Sequence, residues 1–260
     1  MPDYTQKDLE DGLRGVGVRE EDAVFSLSNV GFFGVPDGGL DPENVFETVL
    51  GAVLAVLGPH GTFCAPAFTY SFCAGEDYDP DHTPAKTGMF PEYVRRRPGA
   101  CRSHDPLFSV TALGGRAEEL TRDAPEECFG PGSFWERFLK VDGLFCNFNY
   151  LMGPPLIHYL ERLHEVPYRR DRVFTGTFVF RGRRETRRAV YRSRDLRDPD
   201  ALGDTAIFEA RIEELGLLKR AKVGRGSVLA IRAGEVARVV EAELKVNPRF
   251  LTIAGKKASP

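Results

Sequence analysis

The stretch DPENVFETVLGAVLAVLGPHGTFCAPAFTYSF, which runs from Asp41 to Phe72, predicts a helix followed by a buried strand. Asp41 is a good N-cap, Pro42 suits the first helical position, and Gly58 suits the end of the helix. The apolar residues of the helix recur at helical spacing and form one face: Val45, Phe46, Val49, Leu50, Val53, Leu54 and Leu57. This face must pack on a core, and the strand that begins near Gly61 is expected to belong to that core.

Strand and helix signals alternate on both sides of this stretch. Residues 22–33 (DAVFSLSNVGFF) predict a strand before the helix, and residues 144–150 (LFCNFNY) predict another strand before a helix at 156–164. Ser133 and Glu136 match a capping box at the start of a further helix. Such an alternation is typical of an α/β fold. We therefore predict a layered α/β/α sandwich around a central mixed sheet.

The character of the sequence changes after Tyr168. Residues 171–195 predict a small antiparallel β insertion with a very basic tip. A helix is expected over 205–215, and a last strand and helix over 227–248. We interpret residues 1–260 as a single domain that carries this insertion in its C-terminal third.

Composition and charge exclude several classes of function. The chain has 260 residues, 42% of them hydrophobic, and a formal net charge of -3, so it can bury a large core and has no global affinity for nucleic acid or an anionic membrane. The amino terminus lacks the basic start and apolar core of a signal peptide, and no apolar run is long enough for a membrane span. We expect a cytoplasmic protein.

Cysteines and acidic residues give no support for a disulfide framework or a metal site. The five cysteines are odd in number, scattered and without C-x-x-C spacing. Alternating acids at Asp77, Asp79 and Asp81 resemble the start of a calcium loop, but His82 and Gly88 stand where a glycine and a glutamate are required. No metal is predicted.

His158 and Glu161 form the most promising polar pair of the sequence. A histidine at the start of a helix, directly after a strand, lies at the carboxyl edge of the sheet, where ligand sites of open α/β folds collect. Glu161 follows by one helical turn on the same face and can hold the ring. The alternative is a capping or core histidine. The adjacent Ser103, His104 and Asp105 are a weaker candidate, because successive side chains in extended chain diverge.

A series of ordered blocks then resembles a known family. The blocks are GTFCAPAFTYS, DPDHTPAKTGMFPEYVRRRPGACRS, DPLFSVTALGGRAEEL, FGPGSFWERFLKVDG and IHYLERLHEVPYRR. Together they cover about Val24 to Arg170 and are similar to the aminoglycoside 3-N-acetyltransferase family, which has the antibiotic N-acetyltransferase fold. The tail VNPRFL also fits. The resemblance implies transfer of an acetyl group from acetyl-CoA, as co-substrate, to a small-molecule amine.

The resemblance also implies roles for individual residues. His158 falls on the family's H-x-x-E histidine and would be the general base, with Glu161 as the acid of that motif; Asp142 matches a further family position and is a third catalytic candidate. The segment FSLSNVG resembles the loop that contacts the pantetheine arm of CoA. We expect the cofactor contacts from its members Ser26, Leu27, Ser28, Asn29 and Gly31.

The expected substrate contacts are Tyr70 and Asp105. Asp105-Pro106 stands where drug-modifying members usually have His-Pro, and Phe108 replaces another frequent histidine, so the segment is more similar to the carbohydrate-pathway branch of the family. The acceptor is therefore expected to be an amino sugar or another natural product. The arginines from Arg181 to Arg188 could grip an acidic substrate, and Arg95 to Arg97, Arg169 and Arg170 are candidates for the CoA diphosphate by charge.

Two other classes of function stay open at this point. A hydrolase or cyclase could use the same scaffold and His158 on another acyl donor, and a binding protein of a biosynthetic cluster could use no chemistry at all. A covalent intermediate on Cys146 is disfavoured because a buried thiol tends to stay protonated. A homodimer is also left open.

Overall fold

Nine strands and nine α-helices follow one another in residues 1–258, the part of the chain that the computed structural model describes. The strands are β1 (Ala23–Phe25), β2 (Thr62–Pro66), β3 (Cys101–Arg102), β4 (Val110–Gly114), β5 (Leu144–Phe148), β6 (Arg169–Phe180), β7 (Arg183–Arg194), β8 (Lys219–Val223) and β9 (Gly226–Arg232). The helices are α1 (Gln6–Gly15), α2 (Pro42–Leu57), α3 (Met89–Arg95), α4 (Ala117–Thr121), α5 (Phe134–Lys140), α6 (Leu156–Leu163), α7 (Thr205–Glu214), α8 (Ala233–Val246) and α9 (Ile253–Ala258).

Seven of the strands form one mixed sheet in the order β3-β4-β2-β1-β5-β9-β8. The three central strands β2, β1 and β5 are parallel, and the outer pairs are antiparallel. Because parallel strands end at the same edge of a sheet, the loops that follow β1, β2 and β5 lie together. The predicted mixed sheet is confirmed.

Helices cover both faces of this sheet. On one face α1, α2 and α3 bury residues such as Leu13, Val49 and Val94, and on the other α4 to α8 bury a second cluster that includes Trp135 and Leu160. The α2 helix begins and ends where the sequence predicts, because Asp41 accepts hydrogen bonds from the amides of the first turn and Gly58 follows the last residue. The layered α/β/α prediction is therefore confirmed.

The predicted β insertion is the antiparallel hairpin β6-β7, which pairs over its full length and turns at Arg181 and Gly182. It lies against the body of the protein. Gly176 approaches the Phe72 ring so closely that an added Cβ would clash with it. Tyr78 exchanges two backbone hydrogen bonds with Thr177 and Val179, near the end of β6. The strands begin at Arg169, two residues before the predicted start.

Two details of the sequence prediction are wrong. Ser133 does precede α5, but its hydroxyl has no partner and Glu136 accepts a hydrogen bond from the amide of Gly132, so no capping box forms. The strand β8, with the sequence KRAKV, was not predicted because it lies at the sheet edge and is largely exposed, so no apolar pattern marks it.

Within residues 1–258, no helix is both long and apolar enough to cross a membrane.

Candidate active site

His158 is the third residue of α6 and lies just beyond the carboxyl end of β5. Two prolines, Pro154 and Pro155, precede the helix, and their carbonyls accept the first amides of α6 from Ile157 and His158. Proline suits this position because its φ angle matches the helix and it has no N–H to leave unpaired. The histidine is thus held at the edge where the parallel strands end.

Glu161 lies beneath the His158 ring at the centre of a buried ionic cluster. Its Oε2 lies 2.9 Å from His158 Nδ1 and 2.7 Å from an Arg169 guanidinium nitrogen, whereas its Oε1 accepts hydrogen bonds from Tyr168 at 2.8 Å and Arg194 at 3.0 Å. Four polar partners therefore surround a carboxylate that has about four acceptor sites. Glu161 is fully buried, so it depends on these partners for its charge.

The cluster sets the protonation states of both residues. Burial alone would raise the pKa of Glu161, but the His158 hydrogen bond and the charges of Arg169 and Arg194 lower it below its usual value. Burial lowers the pKa of His158, and Arg169 lowers it further against the opposing effect of Glu161. Because 31% of the His158 side chain is exposed, solvent moderates this decrease. Both effects favour a carboxylate beside a neutral imidazole at pH 7.

An aromatic cavity of about 290 Å³ opens above the His158 ring. The ring meets Phe129 edge-on at 5.1 Å and lies 6.2 Å from the Tyr191 ring, centroid to centroid. The remaining walls come from three loops and from the start of α6. The lining residues are Phe68, Tyr70, Cys73, Phe108, Phe129, Pro155, His158 and Tyr191.

The loop after β1 lies at the same sheet edge and contains the predicted cofactor contacts. Ser26 is buried, and its hydroxyl lies 2.7 Å from that of Ser28. The amide of Leu27 donates to the Asn147 side chain, and the amide of Asn29 donates to the Phe148 carbonyl, so the loop is fixed to the end of β5. In the described chain, the amide of Ser28 donates to no protein acceptor.

A groove of about 420 Å³ runs from this loop to the start of α3. Its exposed rim is apolar, since Phe32, Leu40 and Met89 are 70%, 63% and 73% exposed. Apolar surface of this kind next to a polar loop is typical of a ligand groove. The groove includes three of the five predicted cofactor contacts, Ser28, Asn29 and Gly31.

Comparison with known proteins decides the family. The family model for aminoglycoside 3-N-acetyltransferases matches residues 26–245. The chain belongs to the aminoglycoside 3-N-acetyltransferase family. It is therefore an N-acetyltransferase, as the blocks of the sequence predict.

Relatives and solved structures agree with membership of the aminoglycoside 3-N-acetyltransferase family. The chain is 27% identical to aminoglycoside N(3)-acetyltransferase IX of Micromonospora chalcea over 93% of this chain and 95% of the relative, and 30% identical to enzyme VII of Streptomyces paromomycinus over 71% and 69%. In fold, it is similar to AAC-IIIb in its binary structure with CoASH (TM-score 0.80, 23% identity, 98% and 99% of the chains covered). It is also similar to AAC-VIa bound to sisomicin (TM-score 0.81, 22% identity, 95% and 98% covered).

The structure of this family member brings together some of the predicted site residues and separates others. Tyr70 lines the aromatic cavity with His158 and adopts a left-handed backbone conformation with φ of 55°. Asp105 does not line the cavity. It is buried, accepts hydrogen bonds from the amides of Leu107 and Phe108 and from the Cys128 thiol, and so fixes the turn that carries the Phe108 wall.

Asp142 lies outside the cluster around His158. It precedes β5, whereas His158 follows that strand, so the strand's length of roughly 15 Å separates the two positions. The Asp142 carboxylate accepts a hydrogen bond of 2.8 Å from the amide of Gly234, in the first turn of α8. The structure thus gives Asp142 a contact at a helix start and places it away from the residues that line the cavity, so the expected catalytic role finds no support in the geometry.

We expect Asp142→Ala to lower the free energy of unfolding by about 1 kcal/mol through loss of this helix-start contact, and to leave kcat unchanged. Urea unfolding and steady-state kinetics on the same preparation measure the two effects. A hundredfold loss of kcat in a folded variant would instead restore Asp142 to the reaction.

The remaining sequence candidates are placed by their partners. Arg95 and Arg96 both pair with Glu92, and Arg97 pairs with Glu47, so these arginines belong to a helix surface. Cys146 is fully buried in β5, where burial raises the pKa of its thiol. Among the described residues, no group of histidine, cysteine and acidic side chains could hold a metal ion.

Sequence reasoning missed most of the residues that surround His158 and Glu161. Tyr168 and Arg194 donate to Glu161, and Phe129 and Tyr191 form cavity walls, yet none of them belongs to a local motif. Arg169 was considered for its charge alone, and the structure places it in the Glu161 cluster. One sequence signal did point to the cavity wall. Phe108 stands at a position where the family often has histidine.

Proposed function

We propose that the protein transfers the acetyl group of acetyl-CoA to an amine of an amino sugar or related natural product, with His158 as general base. The observation that carries this proposal is the placement of one imidazole between a buried carboxylate and an open cavity. Nδ1 meets the Glu161 cluster, whereas the opposite edge of the ring belongs to the cavity wall. Family membership supplies the reaction class.

The proposed step is a direct attack without a covalent enzyme intermediate. The amine nitrogen forms a bond to the thioester carbonyl carbon, its proton passes to Nε2 of His158, and the carbon–sulfur bond breaks to release the thiol of CoA. The imidazolium then gives its proton to the leaving thiolate. An imidazole is suited to this exchange because its protonation changes near neutral pH.

Glu161 supports this step by selecting the tautomer of His158. A guanidinium can only donate, so Nδ1 either accepts from Arg169, 2.7 Å away, or carries a proton and donates to Glu161. The second state fills the fourth acceptor site of the buried carboxylate and leaves Nε2 with a free lone pair. We assign that state to the active enzyme, and Glu161 then stabilises the imidazolium that forms.

The loop after β1 supplies the groups that can stabilise the oxyanion. The amides of Ser26, Leu27 and Asn29 are occupied by protein acceptors. The amides of Ser28, Val30 and Gly31 have none in the described chain, so they are the loop's candidate donors to a thioester oxygen.

The groove between this loop and α3 fits the arm of acetyl-CoA. Acetyl-CoA supplies the activated acyl group, and its pantetheine arm combines amides with an apolar body. The Ser28–Gly31 segment offers the polar contacts, and Phe32, Leu40 and Met89 offer apolar contacts. We propose that these residues hold the arm and direct the thioester toward the sheet edge where His158 lies.

We expect acetyl-CoA at about a hundredfold excess over its dissociation constant to raise the melting temperature by roughly 5–10 °C, because a ligand that binds only the folded state stabilises it. Leu40→Asp should weaken this binding about tenfold by removing an apolar contact from the groove. Leu196→Asp is the matched control, since Leu196 is also an exposed leucine, at 78% against 63% for Leu40, but lies beyond the hairpin and outside the groove. Absence of any shift in the wild type would favour a hydrolase or cyclase that uses another acyl donor.

A further inference from the structure

The aromatic cavity is small and carries no negative charge. Its volume of about 290 Å³ accommodates one ring and its substituents, and its walls are aromatic on several sides. Within the described part of the chain, no carboxylate lines it. The cavity therefore offers stacking surfaces to a ring but no counter-ion to an ammonium group.

The unpaired charge at the rim of this cavity is positive. Glu127 and Asp171 line an adjoining recess beside His158 and Tyr191, but they pair with Arg162 and Arg192. Arg172 lies directly opposite Tyr191 in the β6-β7 register, and directly paired residues project from the same face of a hairpin. Burial raises the pKa of the Cys73 thiol, and the nearby charge of Arg172 opposes that rise. Tyr191 and Cys73 both line the cavity, so two independent observations place Arg172 beside it. Arg172 is exposed and, in the described chain, no carboxylate lies within ion-pair distance of it.

The sum of the buried charges behind the cavity is also positive. One carboxylate, Glu161, faces the two guanidinium groups of Arg169 and Arg194, so this cluster keeps an excess positive charge. The Nε atoms of both arginines are buried without a hydrogen-bond partner in the described structure. Low-dielectric surroundings let such an excess act over a longer distance than it would in water.

We propose that the acceptor is a small amine on a single ring that also carries an anionic group, which pairs with Arg172 while the ring stacks in the aromatic cavity. This inference rests on the proposed function and narrows its substrate. An anionic group gains a charge-assisted hydrogen bond at the rim and brings the amine to His158. A polycationic aminoglycoside would meet repulsion from the arginines and find no carboxylate in the cavity.

Equilibrium binding tests the inference without requiring turnover. Isothermal titration compares 3-aminobenzoate and glucosamine 6-phosphate, which share an anionic group on different rings, with uncharged 3-aminobenzamide and with sisomicin. Each probe is titrated into the wild type, Arg172→Glu and Arg183→Glu. Arg183 is the matched control because it is an exposed arginine beside the turn of the same hairpin. It belongs to the Arg181–Arg188 run that the sequence offered for an acidic substrate, but it does not line the cavity.

We expect at least one anionic probe to bind, and Arg172→Glu to weaken it about tenfold or more relative to Arg183→Glu, since a charge-assisted contact is replaced by repulsion. The same change should leave 3-aminobenzamide within about twofold and should strengthen sisomicin. The anionic probe whose binding Arg172→Glu weakens shows whether the ring of the acceptor is aromatic or a sugar.

Equal effects of the two substitutions, or wild-type binding of sisomicin but of neither anionic probe, would overturn the inference. Turnover separates this result from failure of the proposed function. Acetylation of sisomicin that is insensitive to Arg172→Glu would leave the enzyme assignment intact and remove only the anionic acceptor. Absence of acetyl-CoA binding by the wild type would instead remove the proposed acetyl transfer.

Discussion

Replacing His158 by alanine is expected to lower kcat by about 10²–10⁴-fold, the usual contribution of a positioned general base. Nδ1 is held at 2.9 Å from Glu161, and among the described residues that line the aromatic cavity there is no second histidine and no carboxylate. Acetyl-CoA binding should be retained, because the proposed groove does not include His158. Thiol release and isothermal titration measure the two quantities.

His104→Ala is the matched control for this substitution. His104 is half-buried between Phe178 and Phe180, with ring centroids 5.2 and 4.6 Å away, and it does not line the cavity. We expect kcat within about threefold of the wild type for this variant. Full turnover by His158→Ala would refute the assigned base, and equal losses in both variants would point to a general effect of removing a ring.

Titration of the His158 ring gives the His158 prediction a second readout. The pKa of His158 is lowered, so the neutral base persists below pH 6.5, and an NMR titration of the ring signals should give a pKa below that of a free imidazole. The acid limb of kcat/KM cannot replace this measurement, because the amine substrate also loses a proton. The same shift affects stability: the unfolded chain binds the proton more readily than the native one, so His158 costs stability as the pH falls below about 6.5. A ring pKa at or above 6.5 would contradict the buried, arginine-flanked environment.

The sequence could predict what depends on local periodicity. The α2 helix has a cap, an apolar face and a glycine stop within eighteen residues, and the pair His158 and Glu161 is separated by one helical turn, so neighbours along the chain define both. The position of the pair at the sheet edge also followed, because a helix that comes after a parallel strand begins at the carboxyl end.

The environment of that pair could not be predicted in the same way. Glu161 receives Arg194 from 33 positions away, and the cavity joins Phe68 to Tyr191 across half of the chain. These contacts depend on how the hairpin folds back over α6, which no periodic pattern records. The Ser133 capping box failed for a related reason: the motif was present, but the buried hydroxyl makes no hydrogen bond to the backbone of the helix start.

Replacing Glu161 by alanine is expected to lower the free energy of unfolding by about 3–5 kcal/mol, which is the cost of removing one partner from a buried ion pair. The Arg169 side chain is only 2% exposed, so its charge would be left without a counter-ion in the interior. Tyr168 and Arg194 would each lose a hydrogen bond as well. Urea unfolding with an unchanged m-value measures the loss.

Glu127→Ala is the control, because the pair of Glu127 with Arg162 has side chains that are 38% and 24% exposed. An exposed pair of this kind contributes at most about 1 kcal/mol. The acid dependence provides a further check: the pKa of Glu161 is lowered, so its contribution is present above about pH 4.3 and is lost as the pH falls toward the folded-state pKa. Glu161→Ala should lack that component of acid denaturation. Adding Arg169→Met removes the stranded charge and should recover part of the loss, whereas equal stabilities for Glu161→Ala and Glu127→Ala would mean that water already reaches the cluster.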